Sequence, residues 1–392
     1  MSKEVKKVIG IMIFCEFLVF LGLSLIFPVM PFIKNKYHFS AFDMGVMSAL
    51  FALVQFVVSP IAGRVSDKVG RKPMLVVGII LFAFAEFLFA ASNHLWLFDI
   101  SRSISGLSAA IFGPISMALA ADLTTEKQRA KVIGWLSAAF SGGLILGPGL
   151  GGILANINYK CPFWVAGTLG IISTLVLAVW LPSDKDEQFQ NTDENSERES
   201  LSTGWNELKK MLNPMLVTLF LMIFTMAFGL AGFESIYGLY VNEVHHFDLQ
   251  SIALVLTLNG IISLVLQVFL FNSMVDRWGE VRLIRYCFLF GAIGTFFVIY
   301  DHSHWRLILA TLLVFEAIDL LRPAITTLLT KMSKENQGLL NGVNVSLTSI
   351  GNIFGPLLSG ALLDVNFQYP YWIVIAFFFV SFVITFGLRT QK

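Results

Sequence analysis

The sequence predicts an all-α integral membrane protein with twelve transmembrane helices in two pseudo-symmetric six-helix bundles. Three observations predict it: composition, the length of the apolar stretches, and an internal repeat. Apolar residues make up 56% of the 392 residues and charged residues 14%, against roughly 45–50% and about 25% in soluble domains. Phe alone contributes 37 residues, and the mean hydropathy is +0.75. So few charges cannot cover so much apolar surface in water, which excludes a water-soluble enzyme and a disordered scaffold. A net charge of +1 offers no basic field for nucleic acid. The three cysteines (Cys15, Cys161, Cys287) are far apart and form no CxxC pair, so neither a disulfide framework nor a thiolate metal site is indicated.

Apolar stretches of about 20 residues, the length that crosses a bilayer as a helix, fall near 8–32, 44–62, 74–92, 95–119, 132–155 and 162–181. Six more fall near 214–241, 251–271, 283–300, 305–329, 339–363 and 369–388. Lipid offers no partner to open backbone groups, so stretches of this length are helices; barrel strands are half as long and alternate. The N-terminal Lys3, Lys6 and Lys7 followed by an apolar run resemble a signal peptide. The run is too long and lacks a small-residue cleavage site, so it reads as a retained first helix.

Basic residues set the orientation. With the N-terminus in the cytoplasm, 21 Lys and Arg fall on cytoplasmic segments and four outside (Lys34, Lys36, Lys160, Arg306), with Arg102 and Arg322 inside helices. Both termini are therefore expected in the cytoplasm. Residues 183–213 carry eight acids and four bases among Asn, Gln, Ser and Thr, a solvated tether. The domain organisation is then an N-terminal six-helix bundle (1–182), a cytoplasmic linker (183–213) and a C-terminal six-helix bundle (214–392).

The bundles repeat one another. Gly134, Gly143, Gly147–Pro148 and Gly151–Gly152 recur as Gly342, Gly351, Gly355–Pro356 and Ser359–Gly360, about 208 residues later. Gly63-Arg-Val-Ser-Asp67-Lys-Val-Gly70-Arg71-Lys72 is answered by Asp276-Arg277-Trp278-Gly279, and Pro114 by Pro323, both at 209. Glu126 and Glu335 share that offset. Parallel repeats of this kind place a binding site between the halves near the membrane midplane.

These residues carry a family resemblance. GRVSDKVGRKP (63–73) resembles the cytoplasmic loop signature of the major facilitator superfamily, and SRSISGLSAA (101–110) its fourth-helix arginine motif. The glycine pattern at 134–152 is similar to the fifth-helix motif of proton-coupled antiporters, and LGLSLIFPVMP (21–31) to the first-helix motif of twelve-helix drug exporters. GLAGFESIYGLY (229–240), AIDLLRPAITT (317–327) and the stretch 336–360 resemble the NorA/Bmr group of bacterial multidrug efflux pumps. The likeness covers all but the linker and implies the major facilitator fold.

Each motif has a physical reading beside the family one. The four bases of 63–73 satisfy positive-inside topology, but Gly63, Gly70 and the Asp67–Arg71 spacing suit a tight turn bearing an ion pair. The resemblance implies a cytoplasmic latch in which Asp67 engages a neighbouring helix end in the outward-facing state. The glycines at 134, 143, 147, 151 and 152 let backbones approach closely, and Pro148 bends the helix. In the resembled antiporters this seam meets the other half and hinders leak.

Eight ionisable residues lie at membrane depth: Glu16, Glu86, Asp99, Arg102, Glu234, Glu316, Asp319 and Arg322. A charge at the bilayer centre costs at least about 2.5–3.5 kcal/mol, so each is a functional candidate. Asp99 lies near a helix end and can snorkel or pair with Arg102 three residues on. The resemblance makes Arg102 an orienter of the fourth helix and an aid to proton transfer. Asp319 aligns with Ala110 in the first half, so its acid is not required by the scaffold. The resemblance assigns proton coupling to Glu234 and Asp319; Arg322, on the same face, can hold Asp319 ionised. Interhelical hydrogen bonding is the alternative for both acids. Glu16 departs from the family's amide and is open between a second proton or cation site and a structural bond. Glu316 is placed to share a proton with Asp319, and no role for Glu86 follows from the sequence. Phe228, Phe233, Tyr237, Phe315 and Phe140 are candidates for an adaptable pocket lined with aromatics, where Glu234 and Asp319 also meet the drug.

The six histidines fall in or beside outside loops, without HExxH spacing, so no metal site is expected; no Walker loop is present. The sequence therefore predicts a non-enzymatic, monomeric transporter without cofactors, driven by the proton gradient, in a bacterial plasma membrane. It would exchange protons for hydrophobic, often cationic drugs by alternating access. A narrow-substrate exporter or lipid flippase is the alternative within the fold. A membrane-embedded enzyme or receptor lacks a nucleophile–base or metal constellation.

Overall fold

The computed structural model describes residues 3–181, 214–301, 303–332 and 337–387. The linker expected at 183–213 and Glu335 lie outside these residues. The described chain is helical: α1 (Lys3–Ser24), α2 (Met30–Tyr37), α3 (Ala41–Val69), α4 (Arg71–Ala91), α5 (Leu95–Asp122), α6 (Glu126–Ile157) and α7 (Cys161–Trp180). After the linker come α8 (Pro214–His245), α9 (Leu249–Val265), α10 (Phe271–Trp278), α11 (Glu280–Tyr300), α12 (His304–Met332), α13 (Gln337–Val365) and α14 (Tyr369–Ile384).

Fourteen helices make twelve spans because two spans are interrupted. The first is not the continuous helix expected over 8–32. It stops at Ser24, passes through a 3-10 turn at Phe27–Val29 and resumes as α2. Pro28 and Pro31, which lack a backbone donor, account for the break. The eighth span joins α9 to α10 through a π turn at Leu266–Leu270. Eleven spans are long and apolar enough to cross a membrane by composition alone. The remaining one, α12, is interrupted by Glu316, Asp319 and Arg322.

The described residues form two compact units. The first draws on Met1–Phe39, Val46–Glu194 and Phe247–Gly260, the second on Ser40–Gly45, Asn195–His246 and Ile261–Lys392. The division is not a single cut: the first turn of α3 groups with the second unit, and most of α9 with the first.

Within the first unit α1 packs on α6 and α7, and α4 on α5 and α7. Within the second, α8 packs on α13 and α14, and α11 on α12 and α14. These are the same pairings moved by one repeat. Glycines set the closest of them. A Cβ at Gly143 would lie 2.7 Å from the Leu21 nitrogen, and one at Gly147 would strike Ser24. The equivalent Gly351 would place a Cβ 2.7 Å from the Phe228 nitrogen. Small residues at these points allow backbone-to-backbone contact that any side chain would prevent.

Candidate functional site

The site is built up from the membrane-depth charges, one unit at a time. In the second unit, α8 presents Glu234 on an exposed flank while its neighbours Phe233 and Tyr237 are buried. Residues 233 and 237 share one face of a helix and 234 the next, so a single turn divides an aromatic core from an open carboxylate. On α12, Asp319 is half-buried and Arg322 is exposed. The Ser263 hydroxyl of α9 lies near Asp319, as does the charge of Arg322. Ser263 is in turn held by Gln267, whose amide donates to its oxygen at 2.8 Å. Glu234 and Glu316 both lie close enough to Asp319 to feel its charge. Three carboxylates from α8 and α12 and one guanidinium therefore interact in one unit, with Asp319 common to all.

Most of the aromatic residues expected in an adaptable pocket are packed within the second unit. Phe233, Tyr237 and Phe315 are at most 2% exposed. Phe315 meets Phe233 edge-on at 5.2 Å and Tyr237 at 5.7 Å, and Phe233 meets Tyr371 at 5.6 Å. Their rings are committed to joining α8, α12 and α14 in this conformation, and aromatic contacts of this kind stabilise helix packing beyond the area they bury. Phe228, also buried, sits 5.1 Å from Phe377. Phe140 belongs to the first unit, where it is half-buried and meets Phe20 at 4.3 Å.

In the first unit the charges find specific partners. Arg102 donates to Glu86 Oε1 at 2.9 Å, and Ser105 donates to the same oxygen at 3.2 Å. The guanidinium also lies 4.7 Å from the centre of the Phe89 ring. Glu86 is fully buried, which gives the acid left without a role a definite one, as countercharge across the α4–α5 contact. The sequence signal was available: two helices of opposite direction joined by a short turn bring residues 86 and 102 to one depth. Glu16 is buried on α1 and accepts a hydrogen bond from Ser116 of α5 at 2.9 Å.

The 63–73 segment is also corrected. It is not a loop: α3 continues through Gly63 to Val69, and the reversal is made by Gly70 alone, at φ 107°. Gly63 is an ordinary helical residue with no atom within 4 Å of where a Cβ would stand. Arg71 is the hub. It pairs with Asp67 at 2.7 Å and with Asp122 at the end of α5 at 3.1 Å, and donates to Ser66 at 2.6 Å. The residue engaging a neighbouring helix end here is thus Arg71 rather than Asp67. Moving Arg71 and Asp122 by 209 gives Glu280 and Lys331, which also form an ion pair. The two units keep the bridge and reverse its sign, and Gly279 at φ 76° repeats Gly70.

The antiporter-motif glycines of α6 divide between two surfaces. Gly143, Gly147 and Gly151 face α1, whereas Gly152 would bring a Cβ to 2.5 Å from the Ala253 side chain of α9. Gly134 faces nothing within 4 Å, so the expected close approach does not occur there. Pro148 lies inside α6, next to Gly147. Among the described residues no three His, Cys, Asp or Glu side chains are placed to hold a metal ion.

The profile of the Major Facilitator Superfamily matches residues 12–270 and 219–392. The chain belongs to that superfamily. Like the rest of the superfamily, this member is a multi-pass membrane transporter and not an enzyme. It is similar to Multidrug resistance protein 2 of Bacillus subtilis (strain 168), 37% identical over 98% of this chain and 94% of the relative. Multidrug resistance protein 1 of the same organism is 39% identical over 91% of this chain and 90% of the relative. Quinolone resistance protein NorA of Staphylococcus aureus is 32% identical over 94% and 93%. Among solved structures, a bacterial homologue of the human lysosomal transporter Spinster covers 99% of this superfamily member at a TM-score of 0.82 and 15% identity, itself covered to 97%. The nucleoside transporter NupG covers 100% at 0.81 and 13%, and is covered to 100%. At such identities these two establish the fold alone.

Proposed function

We propose that this superfamily member is a proton-coupled antiporter that exports hydrophobic, often cationic drugs from the cytoplasm by alternating access. The observation that carries the reading is the linked set Glu234, Asp319 and Arg322 at membrane depth. It combines an open carboxylate, a half-buried carboxylate and one guanidinium in the same unit. The names of the full-length relatives, two multidrug and one quinolone resistance protein, support the substrate class.

In this reading Glu234, exposed and without a countercharge of its own, attracts the cationic substrate. Asp319 takes a proton from the outer side and yields it to the inner, and Arg322 stabilises the carboxylate that remains. Proton entry supplies about 2.3 kcal/mol per charge for each 100 mV of membrane potential. For a neutral substrate that exceeds the roughly 1.4 kcal/mol which a tenfold gradient requires; for a monocation exchanged against one proton the potential cancels, and the pH gradient drives export. The excess of basic residues on one set of connecting segments supports a cytoplasmic location for both termini. No cofactor is required, and one chain holds the whole set of charges, so the working unit is a monomer.

The test is drug susceptibility of an exporter-deficient bacterium across cationic, zwitterionic and neutral compounds, paired with dequenching of a pH-gradient probe in everted vesicles. Broad protection with dequenching on drug addition is expected, and protection against one compound only would favour the narrow-substrate exporter. Glu234→Gln and Asp319→Asn are each expected to lower gradient-driven efflux at least tenfold. Unchanged transport in both would refute the assignment of these residues. Efflux that survives collapse of the pH gradient by nigericin would refute antiport itself.

A further inference from the structure

Among the buried acids that this mechanism does not use, Glu16 is bonded to Ser116 and Glu86 to Arg102, which leaves Glu316. Its side chain is 9% exposed, and neither carboxylate oxygen has a hydrogen-bond partner among the described residues. The charge that acts on it is Asp319, one helical turn further along α12 and of the same sign. Arg322 stands further on, exposed, and acts on Asp319. From α8 Glu234 interacts with Asp319 and Tyr237 meets Phe315, and from α9 the polar groups on the Asp319 side are Ser263 and Gln267. The charges of α11 (Glu280, Arg282, Arg285) are confined to its first two turns, and the described part of α13 has only Asp364, near its end; α14 has none. Among the described residues of the second unit no cationic side chain is therefore placed to neutralise Glu316.

The fold does not demand an acid there. The repeat counterpart, 209 residues earlier, is Leu107 on α5, an apolar residue in the equivalent helix of the other bundle. A sealed carboxylate without donor or countercharge is costly as an anion, so an acid kept where leucine suffices points to a proton.

We propose that Glu316 is an additional proton-carrying site, which raises by one the number of protons exchanged per substrate. In the cycle, the carboxyl passes its proton to the Asp319 carboxylate once Asp319 has released its own to the inner side. Asp319 releases this second proton in turn, and Glu316 is reloaded from the outer side by the same route in reverse. Each transfer moves one proton between two carboxyl groups and leaves no charge unaccounted for. This inference rests on the antiport reading above.

The test uses the full chain in liposomes, with tetraphenylphosphonium as a permanently monocationic probe and pH gradient and membrane potential set independently. For a monocation, each further proton exchanged adds one charge per turnover, and about 59 mV corresponds to a tenfold change in equilibrium for one charge. A step of that size is expected to change the wild-type accumulation ratio tenfold more than that of Glu316→Gln. Both proteins should still respond to the pH gradient, and Glu316→Asp should behave as wild type. Glu316→Leu should match Glu316→Gln in coupling and unfold at or above the wild-type temperature. Equal potential responses in wild type and Glu316→Gln would overturn the proposal. So would loss of pH-driven transport in Glu316→Gln alone, or a destabilised Glu316→Leu, since either makes the carboxyl essential or structural. If the wild type itself ignored the pH gradient, the antiport reading would fail, and this inference with it.

Discussion

Breaking the Glu86–Arg102 pair should be far costlier than deleting it. The pair joins α4 to α5 with a 2.9 Å contact, and its side chains are 0% and 9% exposed. Glu86→Leu strands a guanidinium in the core of the first unit, where the Ser105 hydroxyl can accept a hydrogen bond but supplies no countercharge. Removing one partner of such a pair costs about 3–5 kcal/mol, because the surviving charge remains buried without compensation. The pair is itself incompletely satisfied: Glu86 Oε2 and Arg102 Nε have no hydrogen-bond partner. Its own desolvation is therefore only partly offset, and an apolar replacement of both residues should be neutral to about 4 kcal/mol stabilising. The measurement is a double-mutant cycle on Glu86→Leu, Arg102→Met and the double variant, by thermal unfolding of detergent-purified protein followed by tryptophan fluorescence. The double variant should unfold well above Glu86→Leu. If the two losses simply add, or Glu86→Leu lies within about 1 kcal/mol of wild type, the buried-pair reasoning is wrong.

Four further outcomes follow from the packing. Gly147→Ala should destabilise by about 1–3 kcal/mol through overpacking against Ser24, whereas Gly134→Ala, with open space around it, should be neutral or slightly stabilising in the same assay. The Asp364 carboxylate accepts the Ala41 and Phe42 amides at 2.8 Å each, at the start of α3. Asp364→Ala should cost about 1.5–3 kcal/mol, the value of a charged hydrogen bond, and hydrogen exchange should accelerate at the first turn of α3; unchanged exchange would refute this. Reversing both Glu280 and Lys331 should leave stability within about 1 kcal/mol, because the pair is partly exposed. Arg71→Glu, which gathers like charges with Asp67 and Asp122, should lower both thermal stability and transport; wild-type behaviour would show the bridge to be dispensable.

Several errors of sequence reading share a cause. Arg102 lies three residues from Asp99, but the carboxylate it donates to is 16 residues away on another helix. Spacing along one helix reports a shared face, and not which neighbouring helix that face meets. The same limit made Phe233 and Tyr237 look like pocket residues. Their closeness to Glu234 in sequence conceals a rotation that sends them into the core. The turn at 63–73 was read as a loop because its charges resemble those of loops. A helix projecting beyond the apolar layer carries charge as readily, and Gly70 alone, at a positive φ, suffices to reverse the chain.

The sequence by itself determined the class, the number of spans, the expected orientation and the two-fold repeat. Lipid leaves a polypeptide almost no alternative to helices of one length, so composition and spacing carry that information directly. The tertiary structure decided which charges are partnered and which are not. Arg102 closes on Glu86, Arg71 bridges to Asp122 while its repeat uses the opposite signs, and Glu316 is sealed with no partner. Those outcomes depend on how helices are rotated against one another, which is settled by the interlocking of glycines and aromatic rings across each seam. A single strand of sequence records those side chains without recording what they face.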